Sequence, residues 1–160
     1  MKKIIKVIEQ ALPAVVSITA SKNVELVEED LMKMGLAPRV FGERLFDEAD
    51  DKGNVSVSGG SGFVVDPSGI ILTNKHVIQD KEASYKAVIG QNKYDVEIIG
   101  QDPLSDIAIL RIIEPPKNLS AIKLGASKNL QLGMCVIAIG NALGEFQNSV
   151  STGIISGLSR

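Results

Sequence analysis

Residues 60–77 read GSGFVVDPSGIILTNKHV, and this stretch decides the fold class. Two segments rich in β-branched residues flank the tetrapeptide DPSG at positions 66–69. Valine and isoleucine favour extended strands, whereas Pro and Gly in such a tetrapeptide favour a tight turn. The pattern therefore predicts two consecutive strands over 55–66 and 70–74, with His76 just beyond the second.

Short apolar segments separated by turn residues continue on both sides of this hairpin. A short amphipathic helix is predicted over 3–12, because apolar residues recur there at helical spacing until Pro13 ends it. Further strands are predicted over 14–20, 84–90, 94–101, 106–112, 133–140 and 148–156. Many short strands with regular turns and little helix indicate an all-β fold, either a closed barrel or a sandwich.

Residues 22–54 differ from their surroundings. They are acidic, show no alternation, and contain four Met or Leu residues at 31–36 together with Phe41 and Phe46. We predict a long loop with some helix, and loops of this length in compact domains are usually functional or disordered. A partner surface and a mobile surface insertion both remain open for it, although the apolar residues favour the partner surface.

Composition sets broad limits on the function. The chain has 160 residues, 44% of them hydrophobic and 22% charged, which suits one folded domain. Its net charge of -2 gives no electrostatic reason to propose a nucleic acid or an anionic membrane as a partner. The single cysteine excludes an intramolecular disulfide, and Lys6, Glu9 and Gln10 interrupt what would be the apolar core of a signal peptide.

The chain contains one histidine, His76, and a lone histidine is more often a structural residue than a reactive one. With one histidine and one cysteine, a zinc site is not expected, and no other metal or cofactor is predicted. Asp106 follows thirty residues later at the start of an apolar strand, where an aspartate commonly caps a turn. The alternative is a buried carboxylate that orients the imidazole, and the order His then Asp matches a chymotrypsin-like triad.

Five motifs that occur in order point to one protein family far more specifically than any one of them does. Together they resemble the HtrA/Deg family of trypsin-like serine proteases, over about residues 5 to 160, with 22–54 the least similar part. The motifs are GSGFVVDPSGIILTNKHV at 60–77, DIAIL at 106–110, LGAS at 124–127, GMCVIAIGN at 133–141 and VSTGIISG at 150–157. One departure is Ala142, where the family usually has proline.

The resemblance implies a chymotrypsin-like N-terminal β-barrel over 1–125, followed by the first strands of a second barrel over 126–160. It implies a serine endopeptidase of the protein-quality-control type, with His76 and Asp106 as catalytic residues and no cofactor. Its substrates would be unfolded or misfolded polypeptides. The resemblance also implies a homo-oligomer, a trimer in the family, and a periplasmic or cell-envelope location.

The family's nucleophilic serine lies in a Gly-Asn-Ser-Gly-Gly motif, and no such motif follows Asp106 in this sequence. Ser58 and Ser61 lie in a similar composition but upstream of His76, in what the family uses as an ordinary strand. Cys135 lies in an apolar strand, where we expect it to be buried as a small hydrophobe. We therefore predict that the nucleophile is not in this chain.

Two expectations follow for the chain by itself. It should neither cleave casein nor react with a fluorophosphonate, since base and carboxylate have nothing to activate. The strands at 133–140 and 148–156 should leave open apolar edges, so the chain should self-associate, by exchange of this hairpin, or leave the hairpin poorly ordered. The rival hypothesis is a non-catalytic β-barrel module that binds unfolded chains; the residues encoded after Arg160 distinguish the two.

Overall fold

The structure is a computed structural model that describes residues 2–36, 49–140 and 149–158. Two helices and eight strands make up its regular elements, together with short 3₁₀ turns. The helices are α1 (Lys2–Ala11) and α2 (Val24–Lys33), and the strands are β1 (Val15–Asn23), β2 (Asn54–Asp66), β3 (Ile70–Thr73), β4 (Ser84–Ile89), β5 (Asn92–Gln101), β6 (Ala108–Ile112), β7 (Cys135–Gly140) and β8 (Ser149–Ile154).

The first six strands form a closed antiparallel barrel in the order β1-β2-β3-β6-β5-β4. Strand β1 closes it, because β1 pairs with β2 along one edge and with β4 along the other. Closure satisfies the backbone groups of both edges and leaves a filled interior. The largest interior side chains are fully buried, among them Ile18, Ile71 and Leu110. The predicted all-β barrel is thus confirmed.

Strands β7 and β8 form a separate two-stranded antiparallel sheet, in which Cys135 pairs with Ile154. Every residue of β8 is exposed, and half of β7 is as well. The expectation that Cys135 is buried is wrong: the thiol is free and the residue exposed, because it begins β7 in a two-stranded sheet separate from the barrel. The predicted boundary between residues 125 and 126 stays a prediction.

The segment predicted as a long loop with some helix contains the ordered helix α2 and the end of strand β1. Strand β1 continues to Asn23, whose side chain caps α2 by accepting a hydrogen bond from the Glu25 N–H at 2.9 Å. Val24 is the only residue of α2 that is buried. Met32 and Met34 are largely exposed, while the Phe41 and Phe46 pair lies outside the described residues.

Candidate active site

His76 lies in the 3₁₀ turn Lys75–Ile78, directly after β3. Its next two neighbours, Val77 and Ile78, are buried in the barrel core and anchor the turn. Gly60 on β2 makes room for Val77, because a Cβ at this position would lie 2.5 Å from Cγ2 of Val77. The imidazole itself points away from the core, with 62% of the side chain exposed.

Asp106 lies before β6 and binds His76 through both carboxylate oxygens. Oδ1 accepts a hydrogen bond from the His76 backbone N–H at 2.9 Å, and Oδ2 lies 2.6 Å from Nδ1 of the ring. These two bonds, the backbone one first, hold the pKa of the Asp106 carboxyl below its usual value. An ionised carboxylate can only accept, so Nδ1 must carry a proton, and the neutral ring then keeps Nε2 as its acceptor.

The residues just before His76 also bind the backbone of Asp106. The carbonyl oxygen of Asp106 accepts hydrogen bonds from Nδ2 of Asn74 at 3.0 Å and from the Lys75 N–H at 3.3 Å. The Lys75 ammonium binds the Asp102 carbonyl at 3.0 Å. Sequence reasoning did not single out Asn74 or Lys75. Their position next to the only histidine was the available signal.

Two sequence expectations about Asp106 need correction. The residue precedes its strand, since β6 begins at Ala108, and its side chain is 49% exposed rather than buried. The whole end of the barrel around it is open: Leu104 is almost fully exposed, and Ile107 nearly half. A mostly apolar cleft of about 580 Å³ lies beside the pair, lined by α1, the barrel and β7, with Asn74 and Ile107 in its wall.

The three alternative nucleophiles considered from the sequence lie on strands: Ser58 and Ser61 on β2, and Cys135 on β7. Ser58 and Ser61 lie opposite Ala20 and Ser17 of β1, and the Ser61 carbonyl oxygen accepts a hydrogen bond from the Thr73 hydroxyl at 2.9 Å.

Within the part of the chain that the structure describes, no three His, Cys, Asp or Glu residues are grouped to hold a metal ion. None of the described helices has the length and apolar character needed to cross a membrane.

Comparison with known proteins decides the family. A family profile described as "Trypsin-like peptidase domain" matches residues 60–160, which include both His76 and Asp106. This chain belongs to the trypsin-like peptidase domain family. The matched region covers strands β3 to β8 in full and the second half of β2.

The relatives carry HtrA and DegP names, which confirms the predicted resemblance. A probable periplasmic serine endoprotease DegP-like from Pseudomonas fluorescens is 37% identical over 97% of this chain and 34% of its own length. A serine protease HtrA-like from Staphylococcus haemolyticus is 36% identical over 89% of this chain and 22% of its own. A solved structure of the HtrA-type protease AlgW with a tripeptide superposes with a TM-score of 0.66 at 27% identity, covering 96% of this chain and 39% of that one.

This trypsin-like chain thus spans about a third of the length of the first curated relatives that it matches. The common fold covers the described barrel and hairpin, while most of each relative lies outside the matched region.

Proposed function

We propose that this chain supplies the general base and its orienting carboxylate to a serine endopeptidase, with His76 as the base and Asp106 as the orienter. The observation that carries the proposal is the 2.6 Å contact between Nδ1 of His76 and Oδ2 of Asp106, reinforced by the 2.9 Å bond from the His76 N–H. This arrangement fixes one tautomer of a solvent-facing imidazole, as a base in acyl transfer requires.

The chemistry follows from that tautomer. Nε2 of His76 accepts the proton of a serine hydroxyl as its oxygen attacks the peptide carbonyl carbon. The imidazolium, stabilised by Asp106, then gives that proton to the leaving amine as the C–N bond breaks. Water enters, loses a proton to Nε2 and attacks the acyl ester, and the proton returns to the serine oxygen as the acid product leaves.

The serine and the donors that stabilise the oxyanion are proposed to come from a polypeptide segment outside these 160 residues. The sequence contains no Gly-Asn-Ser-Gly-Gly motif after Asp106. The exposed carboxylate and the apolar cleft beside it favour a second segment packed over this end of the barrel. Such cover would exclude water from the pair and strengthen its electrostatics.

For the whole protein we propose polypeptide substrates and a periplasmic location, because several relatives are named periplasmic serine endoproteases. The resemblance to the HtrA/Deg family favours unfolded chains among those substrates. We further propose self-association. The exposed residues of the β7–β8 hairpin include Val136, Val150 and Ile154, and a two-stranded sheet presents two edges that can pair with another copy.

Labelling with a fluorophosphonate tests the proposal. The 160-residue chain is expected to remain unlabelled, and the protein read from the same gene beyond Arg160 is expected to be labelled on a serine of a Gly-Asn-Ser-Gly-Gly or Gly-Asp-Ser-Gly-Gly sequence. The matched control is the longer protein with that serine changed to alanine. Labelling of the 160-residue chain would contradict the proposal. A stop codon directly after Arg160 would also contradict it and would favour a binding module.

A further inference from the structure

Lys22 is a charged residue at an inward-facing position of the barrel. The even-numbered residues of β1 point to the interior, and Val16, Ile18 and Ala20 are at most 1% exposed. Lys22 continues this series after a register shift between Ala20 and Ser21, and its side chain is only 4% exposed. A buried ammonium is costly unless it is paired, so its partners are informative.

Three carboxylates from two separate segments surround the Lys22 ammonium. Nζ lies 2.6 Å from Oδ2 of Asp30 on α2, 2.8 Å from Oε2 of Glu82 and 3.3 Å from Oδ2 of Asp80. The hydrogen bond that Lys22 donates to Asp30 is the main reason that the pKa of Lys22 is raised, and the same bond lowers the pKa of Asp30. The lysine is charged at neutral pH and joins α2 to residues 80–83.

Besides this ion-pair network, helix α2 is held on the barrel by few apolar side chains, of which Leu26, Val27 and Leu31 are only half-buried. Val24, at its first position, is its only buried residue, and the Val24 N–H bonds to the Gly53 carbonyl at 3.0 Å. Toward the C-terminal end of α2, the ion pair between Asp30 and Lys22 attaches the helix to the barrel. Elements with so few buried apolar contacts open locally with a small free energy. Removing the lysine would leave Asp30 without its main partner.

The other end of the network lies close to His76 in the chain. Asp80 closes a tight turn, in which Oδ1 accepts the Glu82 N–H at 2.9 Å. Its carbonyl accepts the hydroxyl of Tyr85 at 2.8 Å, and Tyr85 is a core residue of β4. Only residues 77–79 separate His76 from Asp80. Lys22 therefore ties α2 to the segment that follows His76.

We propose that Lys22 is a positioning residue that fastens α2 to the turn at residues 80–83, so that release of α2 loosens the segment that carries His76. The part that concerns His76 rests on the proposed function, whereas the fastening of α2 does not. Helix α2 thereby becomes an element whose docking on the barrel affects the order of the candidate site.

The test compares Lys22→Met with Lys33→Met in the 160-residue chain. Both remove an ammonium that binds Asp30, but Lys33 is 69% exposed, and within the described part of the chain it forms ion pairs with Glu29 and Asp30. We expect Lys22→Met to speed hydrogen exchange of the α2 amides by about tenfold or more, because the buried ammonium that joins α2 to residues 80–83 is lost. We expect the Lys33→Met amides to stay within about twofold of the wild type, as for exposed pairs.

The second readout is the ring of His76, observed through its nitrogen shifts. The share of the tautomer with the proton on Nδ1 is expected to fall in Lys22→Met and to stay unchanged in Lys33→Met. Unchanged exchange of α2 in Lys22→Met would overturn the fastening. Faster exchange of α2 with an unchanged His76 ring would overturn the coupling. If the wild-type ring never shows this tautomer, the proposed function fails while the exchange result still decides the fastening.

Barrel amides in the same sample report whether Lys22→Met is folded. Should they also lose protection, Asp30→Ala provides the decision, because it keeps the lysine with Asp80 and Glu82 and removes the carboxylate through which α2 binds it, while Lys33→Met accounts for the Lys33 pair that is lost at the same time. It is expected to speed α2 exchange and leave the barrel protected. Slow exchange of α2 in this variant would equally overturn the proposal.

Discussion

In a protease domain that contains this chain together with its nucleophile, replacing Asp106 by Asn is expected to lower kcat by about 10⁴-fold. The Asn amide occupies the same space but can donate to Nδ1, which favours the proton on Nε2 and removes the acceptor that the serine needs. The measurement is the initial rate on an unfolded protein substrate near neutral pH, with KM determined separately.

The matched control is Asp95→Asn on β5. Asp95 is an exposed aspartate whose ion pair with Lys86 at 3.2 Å lies away from His76 in the barrel. It is expected to leave kcat within about twofold, as surface ion pairs contribute little. A loss in Asp106→Asn of less than about tenfold would show that Asp106 is not the orienting carboxylate.

Replacing Gly60 by Ala is expected to destabilise the barrel by about 1–3 kcal/mol, because overpacking a well-filled core forces neighbours to shift. The new Cβ would lie 2.5 and 2.9 Å from the two methyl groups of Val77. Valine has few rotamers to escape into, so the backbone beside His76 must move. Urea denaturation followed by circular dichroism gives the change in the free energy of unfolding.

Gly125→Ala is the control for that variant. Nothing lies within 4 Å of a Cβ at Gly125, so we expect a change of less than about 0.5 kcal/mol there. Equal stability of the Gly60→Ala and Gly125→Ala chains would mean that Val77 is not packed against β2 as described, and the anchor of the His76 turn would have to be sought elsewhere.

Local patterns were sufficient to predict the barrel strands. Alternating or continuous β-branched segments bounded by DPSG at 66–69 and by Gly90 predicted β2 to β5 within a few residues, since turn residues and strand propensity act over short range. The pair His76 and Asp106 was also predicted, because motif context singled out two residues. Their roles in catalysis stay predictions.

Features that depend on distant contacts were beyond the sequence. The exposure of Asp106 and Cys135 depends on what packs over each residue, which no local pattern encodes. Lys22 went unnoticed because its carboxylate partners lie 8, 58 and 60 positions along the chain, although a lysine between Ala20 and Val24 at inward-facing positions was a readable signal. Helix α2 had a usable cap in Asn23, within a segment whose acidic composition favoured a loop.

The tautomer of His76 is the most direct test of the pairing with Asp106, and the chain suits the measurement because it has one histidine. Its ring nitrogens can be observed through couplings to the carbon-bound ring protons, at about pH 8.5, where an ordinary histidine is neutral. We predict that the proton resides on Nδ1 in the wild-type chain and that this preference is lost in Asp106→Asn. A ring with its proton mainly on Nε2, unaffected by Asp106→Asn, would contradict the assignment of these two residues as base and orienter.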